Sequence, residues 1–358
     1  MDMNLALNKL AEYDIRAHCH VNSNENGDRF VGIKADSEDA VVYFPIGYEL
    51  PETDAEIRMD IKHLIQVLSE FTTKAERLLA VNKFTAPQSV DFPINAYRTV
   101  IEDFLNKGCK YYVETEQTYK AAAAGKQDWA RTVRKQMPLI QSQEGVSSFI
   151  FTKFEVRATK PNDTTRITRI HRFCVYEAFE RLGWLYVPHK PEEPGPHPDI
   201  KSSIAIVRSK LAAANDDKKR ALFQGMLDML NYMDEKTSDK QVYFGTDDFD
   251  HVWEKIIDKA FGEHDKNKYF PRSRWLLDYG EYHEKRPLMP DTIMIYNGKY
   301  YVLDAKCYKY GWTGIPNHLP NASSINKQIT YGEYIEKYMG VNSDSLFNAL
   351  IMPFNKAK

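Results

Sequence analysis

The chain has 358 residues, 43% hydrophobic and 27% charged, with a formal net charge of −2. It is long enough for two domains, and the near-neutral charge gives no overall signal of nucleic-acid binding. No apolar run approaches the ~18–20 residues that a membrane helix needs, and the N-terminus lacks a secretory signal pattern. Four scattered cysteines favour a reducing compartment, so we expect a cytoplasmic protein without membrane contact.

The N-terminal part, residues 1–165, has the pattern of a mixed α/β domain. Short apolar runs at 30–33 and 40–44 predict strands. Residues 54–71 have apolar side chains at helical spacing, and residues 94–107 form a second predicted helix that ends at a glycine. The run 148–157 is extended and apolar, and we expect a hairpin from it across Pro161–Asp163.

Basic residues are concentrated between positions 120 and 172, where the sequence has eleven lysines and arginines but four acidic residues. Such a local excess is suited to phosphates or to an acidic protein partner. A solvated surface without a partner accounts for it equally well.

The middle of the chain, residues 166–240, reads as a helical connecting region. Helical spacing runs from Ile167 to Trp184, and one or two further helices are predicted over 204–233, with a break near 215–217. Between them, residues 187–198 contain five prolines and predict a linker or a rigid loop.

A helix with an apolar stripe from Phe249 to Ala260 opens the C-terminal part, and a hairpin follows it. Asn297-Gly298 lies between two apolar runs, which predicts a two-residue type I′ turn because both residues tolerate φ > 0. Counting outward from this turn pairs Thr292 with Leu303 and sets Asp291 opposite Asp304. Alternation along the strand returns Lys306 to the face of Asp304.

Two carboxylates that oppose each other in a hairpin repel, which destabilises the pairing unless something compensates. A divalent cation is one solution, because Mg²⁺ is commonly held by one or two carboxylates together with water and phosphate oxygens. A lysine beside that metal could orient or deprotonate a water, or stabilise charge on a phosphate. The alternative is a solvated hairpin whose two aspartates fray at the strand ends.

After the hairpin, residues 311–320 read as a loop, 324–338 as a helix, and 347–354 as a final buried strand. An extra strand is expected within 275–279. The order from position 246 onward is therefore helix, three strands, helix, strand.

These residues resemble a known motif. Pro290-Asp291 followed by Asp304-Ala305-Lys306 on the next strand resembles the PD-(D/E)xK motif of metal-dependent nucleases. The resemblance implies an α/β (α+β) chain. In it, residues 241–358 form a restriction-endonuclease-like αβββαβ core with a mixed sheet, preceded by the N-terminal mixed α/β domain.

Other segments extend the resemblance to LlaJI-type, McrC-like restriction endonuclease subunits. Trp129-Ala130-Arg131-Thr132 resembles a Trp-x-Arg-Thr element of that family, and Trp253-Glu254-Lys255-Ile256 resembles the helix that opens its core. Residues 167–182 and 243–246 are similar to LlaJI-type subunits as well. The resemblance covers most of the chain.

The resemblance assigns roles to individual residues. It implies Asp291 and Asp304 as metal ligands and Lys306 as the catalytic lysine. It also nominates Glu254 on the first helix of the core and Gln328, with Tyr331, on the later helix. By helical position alone, Glu254 lies away from the apolar stripe of its own helix, which favours a solvated side chain equally.

The same resemblance implies Mg²⁺ as cofactor, with Mn²⁺ as a substitute, DNA as substrate, and a McrB-like AAA+ GTPase as motor partner for residues 1–165. It leaves open whether two copies of the chain form a homodimer when DNA is cleaved. The chain contains no Gly-x-x-x-x-Gly-Lys-Ser/Thr loop, so nucleotide hydrolysis would belong to the partner. Two alternatives remain: a self-sufficient type II restriction endonuclease and a non-catalytic scaffold with a nuclease-like core.

Overall fold

The computed structural model describes residues 14–22, 29–35, 40–81, 91–143, 146–187, 190–235 and 242–354. The chain forms two compact units: Met1–Ile94 with Trp184–His189 and Ser238–Lys358, and Asn95–Gly183 with Lys190–Thr237. The division predicted from sequence (1–165, 166–240, 241–358) follows chain order, whereas these units interleave segments. The roles assigned to its three parts stay predictions.

The chain has α/β architecture. Its strands are β1 (Cys19–Val21), β2 (Val31–Ala35), β3 (Ala40–Phe44), β4 (Glu114–Ala122), β5 (Lys126–Gln127), β6 (Leu139–Gln143), β7 (Val146–Ile150), β8 (Phe154–Asn162), β9 (Val242–Thr246), β10 (Arg274–Leu276), β11 (Tyr282–Glu284), β12 (Thr292–Tyr296), β13 (Lys299–Ala305) and β14 (Leu346–Ile351). Its helices are α1 (Asp54–Phe71), α2 (Lys74–Val81), α3 (Ile94–Asn106), α4 (Trp129–Lys135), α5 (Arg166–Leu182), α6 (Ile200–Ala212), α7 (Asp217–Glu235), α8 (Phe249–Phe261), α9 (Tyr310–Thr313) and α10 (Ala322–Met339). Within the described ranges, no helix has the length and apolar character needed to span a membrane.

The first unit contains a four-stranded sheet in the order β1-β3-β2-β9. The predicted strands at 30–33 and 40–44 correspond to β2 and β3. Helix α1 has the predicted bounds, because a capping box between Thr53 and Glu56 fixes its start and its apolar stripe is buried. Strand β9 pairs antiparallel with β2 and leads directly into α8, so this sheet is joined to the C-terminal part of the chain.

The second unit contains a three-stranded sheet in the order β4-β8-β5 and the separate β6–β7 hairpin. The hairpin predicted across 161–163 is wrong. Strand β8 pairs with β4, and Thr165 instead caps α5, its side chain accepting a hydrogen bond from Thr168 N at 3.3 Å. The break predicted near 215–217 is confirmed, because it separates α6 from α7. Residues 190–198 have no helix or strand, and 188–189 lie outside the described residues.

The C-terminal core of the first unit is a three-stranded mixed sheet between two helices. Strands β12 and β13 are antiparallel, and β13 and β14 are parallel. Leu303 and Ala305 pack with Ile257 of α8 on one face, whereas Ile293 and Val302 pack with Tyr331 and Ile335 of α10 on the other. Strand β14 was expected to be buried, but it lies at the sheet edge and is only partly covered.

The extra strand expected within 275–279 does not join this sheet. Strands β10 and β11 pair only with each other among the described residues. The order helix, strands, helix, strand is therefore present from α8 to β14, with a separate hairpin inserted before the central pair.

A close approach of two glycines joins β2 to β9. Gly32 and Gly245 are register partners, and a Cβ atom on Gly32 would lie 2.2 Å from Phe244 O. Gly32 also has φ of +148°, which L side chains rarely adopt. The pairing that leads into α8 therefore requires glycine at position 32.

We expect Gly32→Ala to lower the free energy of unfolding by about 3 kcal/mol, because it adds both backbone strain and a clash with a carbonyl oxygen. Gly195→Ala is the control, since nothing lies within 4 Å of its added Cβ and a change within about 1 kcal/mol is expected. Denaturant unfolding followed by tryptophan fluorescence measures both. Equal midpoints for the two variants would contradict the close approach.

Candidate active site

The β12–β13 turn has the predicted geometry. Asn297 and Gly298 have φ values of 51° and 74°, as a type I′ turn requires at both central positions. The register counted from this turn is confirmed, with the pairs Tyr296–Lys299, Ile295–Tyr300, Met294–Tyr301, Ile293–Val302 and Thr292–Leu303. A two-residue turn thus fixes which side chains meet at the far end of the hairpin.

At that end, strand β12 begins at Thr292, directly after Asp291. The Asp291 carboxylate turns toward the neighbouring strand, where its Oδ2 accepts a hydrogen bond from Ala305 N at 3.0 Å. Asp304 is the acidic residue of β13. It is buried near the end of the strand, with 7% of its surface exposed. Burial, followed by the negative charge of Asp291, raises the pKa of Asp304 to about 6. The two carboxylates thus meet at the strand ends and repel each other.

Lys306 lies beside these carboxylates. Its Nζ is 3.9 Å from Asp304 Oδ1 and 3.4 Å from Glu254 Oε1. Burial alone would lower the pKa of Lys306, but the negative charges of Asp304, Asp291 and Glu254 raise it above its ordinary value. The side chain is therefore a stable ammonium group, about one third exposed.

Helix α8 presents three carboxylates, spaced four residues apart on one face, to residues that flank the end of the hairpin. Asp250 Oδ1 accepts from Cys307 N at 2.9 Å, and Glu254 holds the Lys306 ammonium. Asp258 Oδ2 lies 2.6 Å from Lys266 Nζ, which also donates to Asp291 O at 2.8 Å.

The contact with Lys306 gives Glu254 a defined position at the site. From its helical position alone, a solvated side chain was an equally good expectation. Sequence reasoning did not identify Asp250, Asp258 or Lys266. The i, i+4, i+8 spacing of carboxylates was a readable signal for the first two. Nothing local marks Lys266, because its contact with Asp291 depends on the folded path of the chain.

Gln328 and Tyr331 project from α10 toward the face of the sheet that carries Asp304. Gln328 is 4% exposed, and neither its Nε2 nor its Oε1 has a hydrogen-bond partner among the described residues. The Tyr331 hydroxyl donates to Met289 O at 3.3 Å. Burial, followed by the charges of Asp291 and Asp304, raises the pKa of Tyr331.

The residues present suit a magnesium ion. Within the described ranges, no group of three or more His, Cys, Asp or Glu side chains is arranged to hold a metal, but Mg²⁺ commonly uses only one or two carboxylates. Asp304 Oδ2 is buried and accepts no hydrogen bond from the described residues. A buried acceptor without a donor is costly, and a cation between the two carboxylates would satisfy it and remove their repulsion.

A second candidate surface lies in the basic region of the other unit. Asp128 caps α4 through Arg131 N, and buried Thr132 accepts from Glu155 N at 2.9 Å, which fixes α4 against β8. These contacts leave Arg131, Arg134 and Arg157 exposed. The exposed apolar side chains Trp129, Val133 and Met137 belong to the same segment, so this surface combines positive charge with apolar area.

A family model described as LlaJI restriction endonuclease matches residues 30–358. No curated protein matches the chain. Among solved structures, the chain is similar to the refined half-complex from a tetradecameric assembly of Thermococcus gammatolerans McrB AAA+ hexamers with bound McrC. That match has 12% sequence identity and a TM-score of 0.33, and it covers 86% of this chain and 68% of that chain.

The raised pKa of Asp304 has a consequence for metal-free stability. Between the unfolded pKa near 4 and the folded value of about 6, the folded state binds more protons, so stability falls as pH rises. Asp304→Asn imitates the protonated form. We expect it to exceed wild type in free energy of unfolding by about 2 kcal/mol at pH 8, with the difference vanishing near pH 4.

Denaturant unfolding in EDTA across this pH range measures the difference. Asp344→Asn, at an exposed position, is the matched control. A gap for Asp304→Asn that stays constant or narrows with rising pH would contradict repulsion between the two carboxylates.

Proposed function

The chain belongs to the LlaJI restriction endonuclease family, and we propose that it is the nuclease subunit of a restriction system that hydrolyses DNA phosphodiester bonds with Mg²⁺. One observation carries the proposal: Asp291, Asp304 and Lys306 meet at the end of one hairpin, where the repulsion of two carboxylates is left for a cation to relieve. A structural hairpin has no need of this costly arrangement.

Asp291 and Asp304 would hold the metal. When bound, Mg²⁺ supplies stabilisation of negative charge on the phosphate and lowers the pKa of a coordinated water. The hydrogen bond from Ala305 N to Asp291 fixes one carboxylate, and Lys266 fixes the backbone that carries it. These contacts preorganise the ligands before any substrate arrives.

Lys306 acts as a fixed positive charge in this proposal. Because the surrounding carboxylates raise its pKa, it keeps its proton at neutral pH and is poorly suited to remove one from water. It can instead donate hydrogen bonds to the attacking water or to a phosphate oxygen, and Glu254 aims it. The free amide of Gln328 provides a further donor and acceptor for the water or phosphate.

The motor partner is a further part of the proposal. The sequence resemblance implies a McrB-like AAA+ GTPase, and the basic region with exposed Arg131, Arg134 and Arg157 is the contact surface that we assign to it. Exposed apolar side chains between the arginines favour a protein partner there, because interfaces combine an apolar centre with a charged rim. Steering by the arginines would speed association with an acidic surface.

We expect Asp304→Ala and Lys306→Ala each to lower the rate of DNA cleavage by at least about a thousandfold, since the first removes a ligand of the proposed metal and the second removes a positive charge beside the reacting phosphate. Asp344→Ala should cleave at the wild-type rate. Cleavage is measured with a plasmid substrate in Mg²⁺, with the GTPase present and absent. Wild-type rates for both site variants would refute the catalytic proposal.

Thermal unfolding in the presence of metal distinguishes a nuclease from a non-catalytic scaffold. A nuclease should gain thermal stability from Mg²⁺ or Mn²⁺, and Asp291→Ala should lose that gain, because the ion binds the folded state only. A scaffold should show no such gain. Cleavage by the chain alone, at the same rate with and without the GTPase, would instead identify a self-sufficient endonuclease.

For the partner surface, we expect a triple charge reversal of Arg131, Arg134 and Arg157 to glutamate to weaken binding of the GTPase at least about tenfold. GTP hydrolysis stimulated by the chain should fall in parallel. The control reverses three exposed lysines of the same unit, Lys201, Lys218 and Lys219, and should leave both quantities unchanged. Unaltered binding and hydrolysis in the arginine variant would assign docking to another surface.

A further inference from the structure

Both strands of the β10–β11 hairpin are exposed along their whole length. Every residue of both strands is solvent-exposed, although the hairpin carries large apolar side chains on both faces. Trp275 is 61% exposed and Tyr282 is 70% exposed. Because an isolated two-stranded hairpin is marginally stable in water, such an element indicates a surface that is covered in the working assembly.

The two faces of the hairpin follow from its register. Trp275 pairs with His283 on one face, whereas Leu276 pairs with Tyr282 on the other. A flat protein surface would cover only one of these faces. A groove with two walls covers both, and the major groove of B-DNA is wide enough to admit a two-stranded ribbon.

The charge at the base of the hairpin suits the same occupant. Arg272, Lys285 and Arg286 are exposed at its base, beyond the pair formed by Arg274 Nε and Glu284 Oε1 at 2.7 Å. The acidic residues Asp278 and Glu281 lie near the tip. Cations at the base with apolar side chains further out match phosphates along the groove edge and bases within it.

The hairpin is joined to the candidate active site. Its base closes with a hydrogen bond from Leu288 N to Pro271 O at 2.9 Å. The next residue, Met289, accepts the hydrogen bond from Tyr331, and Pro290 and Asp291 follow directly. DNA held by the hairpin would therefore run alongside the carboxylates that act on it.

We infer that the β10–β11 hairpin is a DNA-binding arm, which enters a groove of the substrate duplex beside the cleavage site. The inference rests on the proposed function, since it assigns the DNA contact of that same site. Trp275 and Tyr282 contact bases, and Arg272 and Arg286 contact phosphates.

The test measures binding of a fluorescein-labelled, mixed-sequence DNA duplex to the full-length chain by fluorescence anisotropy, in a cleavage-inactive Lys306→Ala background with Mg²⁺. Trp275→Ala with Tyr282→Ala should weaken binding about tenfold, from the loss of contacts with base edges in the groove. Tyr338→Ala, also strongly exposed at 77%, is the matched control and should bind as before. Thermal unfolding midpoints establish that all variants are folded.

Arg272→Ala with Arg286→Ala should reduce the slope of log affinity against log salt by about two, since each lost phosphate contact removes about 0.9. The control Lys218→Ala with Lys219→Ala should keep the wild-type slope. Both pairs are exposed, so the substitutions remove charge without removing packing.

The outcomes separate the hypothesis of a DNA-binding arm from the proposed nuclease function. If the otherwise wild-type chain cleaves DNA but the hairpin variants bind as tightly as their controls, the arm is refuted and the proposed nuclease stands. If the hairpin variants bind DNA normally but lose the GTPase or self-association, the hairpin is a protein contact and the DNA assignment is overturned. A chain that neither binds nor cleaves DNA refutes both.

Discussion

The repulsion between Asp291 and Asp304 is the constraint on which the candidate site depends. A two-residue turn at Asn297-Gly298 leaves the hairpin one register, and that register brings two carboxylates to the same place. The fold does not avoid the repulsion. It buries Asp304, raises its pKa, and surrounds the pair with the ammonium group of Lys306 and a hydrogen bond from the backbone.

Helix α8 controls how this arrangement is held. Its carboxylates contact Cys307 N, the Lys306 ammonium and Lys266, so the helix acts on both strand ends of the hairpin. Carboxylates that repel each other stay in place only if the elements that carry them are held. The three contacts from one rigid helix provide that restraint, whereas contacts from separate loops would let the carboxylates move apart.

Sequence alone gave the parts of this site that depend on local chemistry. The turn type determines the register, so counting residues placed Asp291 and Asp304 at the same end of the hairpin, although the strand pairing itself stops at Thr292 and Leu303. The bounds of α1 followed from its cap and apolar stripe. The hairpin expected at 161–170 failed because Thr165 caps a helix there. The extra strand of the core was misplaced, since β10 and β11 pair with each other, and no local pattern reports which sheet a short strand joins. The pairing of β2 with β9 and the bridge made by Lys266 depend on contacts between distant segments, which sequence periodicity does not encode.

These long-range contacts explain why the nuclease core does not stand as a separate C-terminal module. Strand β9 completes the N-terminal sheet and continues into α8. On a neighbouring face of that helix, Lys255 donates to Phe71 O at 2.9 Å and Lys259 pairs with Glu70, both at the end of α1. The helix that aims Lys306 is thus fixed by the N-terminal sheet and by α1. A change in that sheet would therefore reach Lys306 through one rigid element, which makes the N-terminal segment a structural part of the candidate active site.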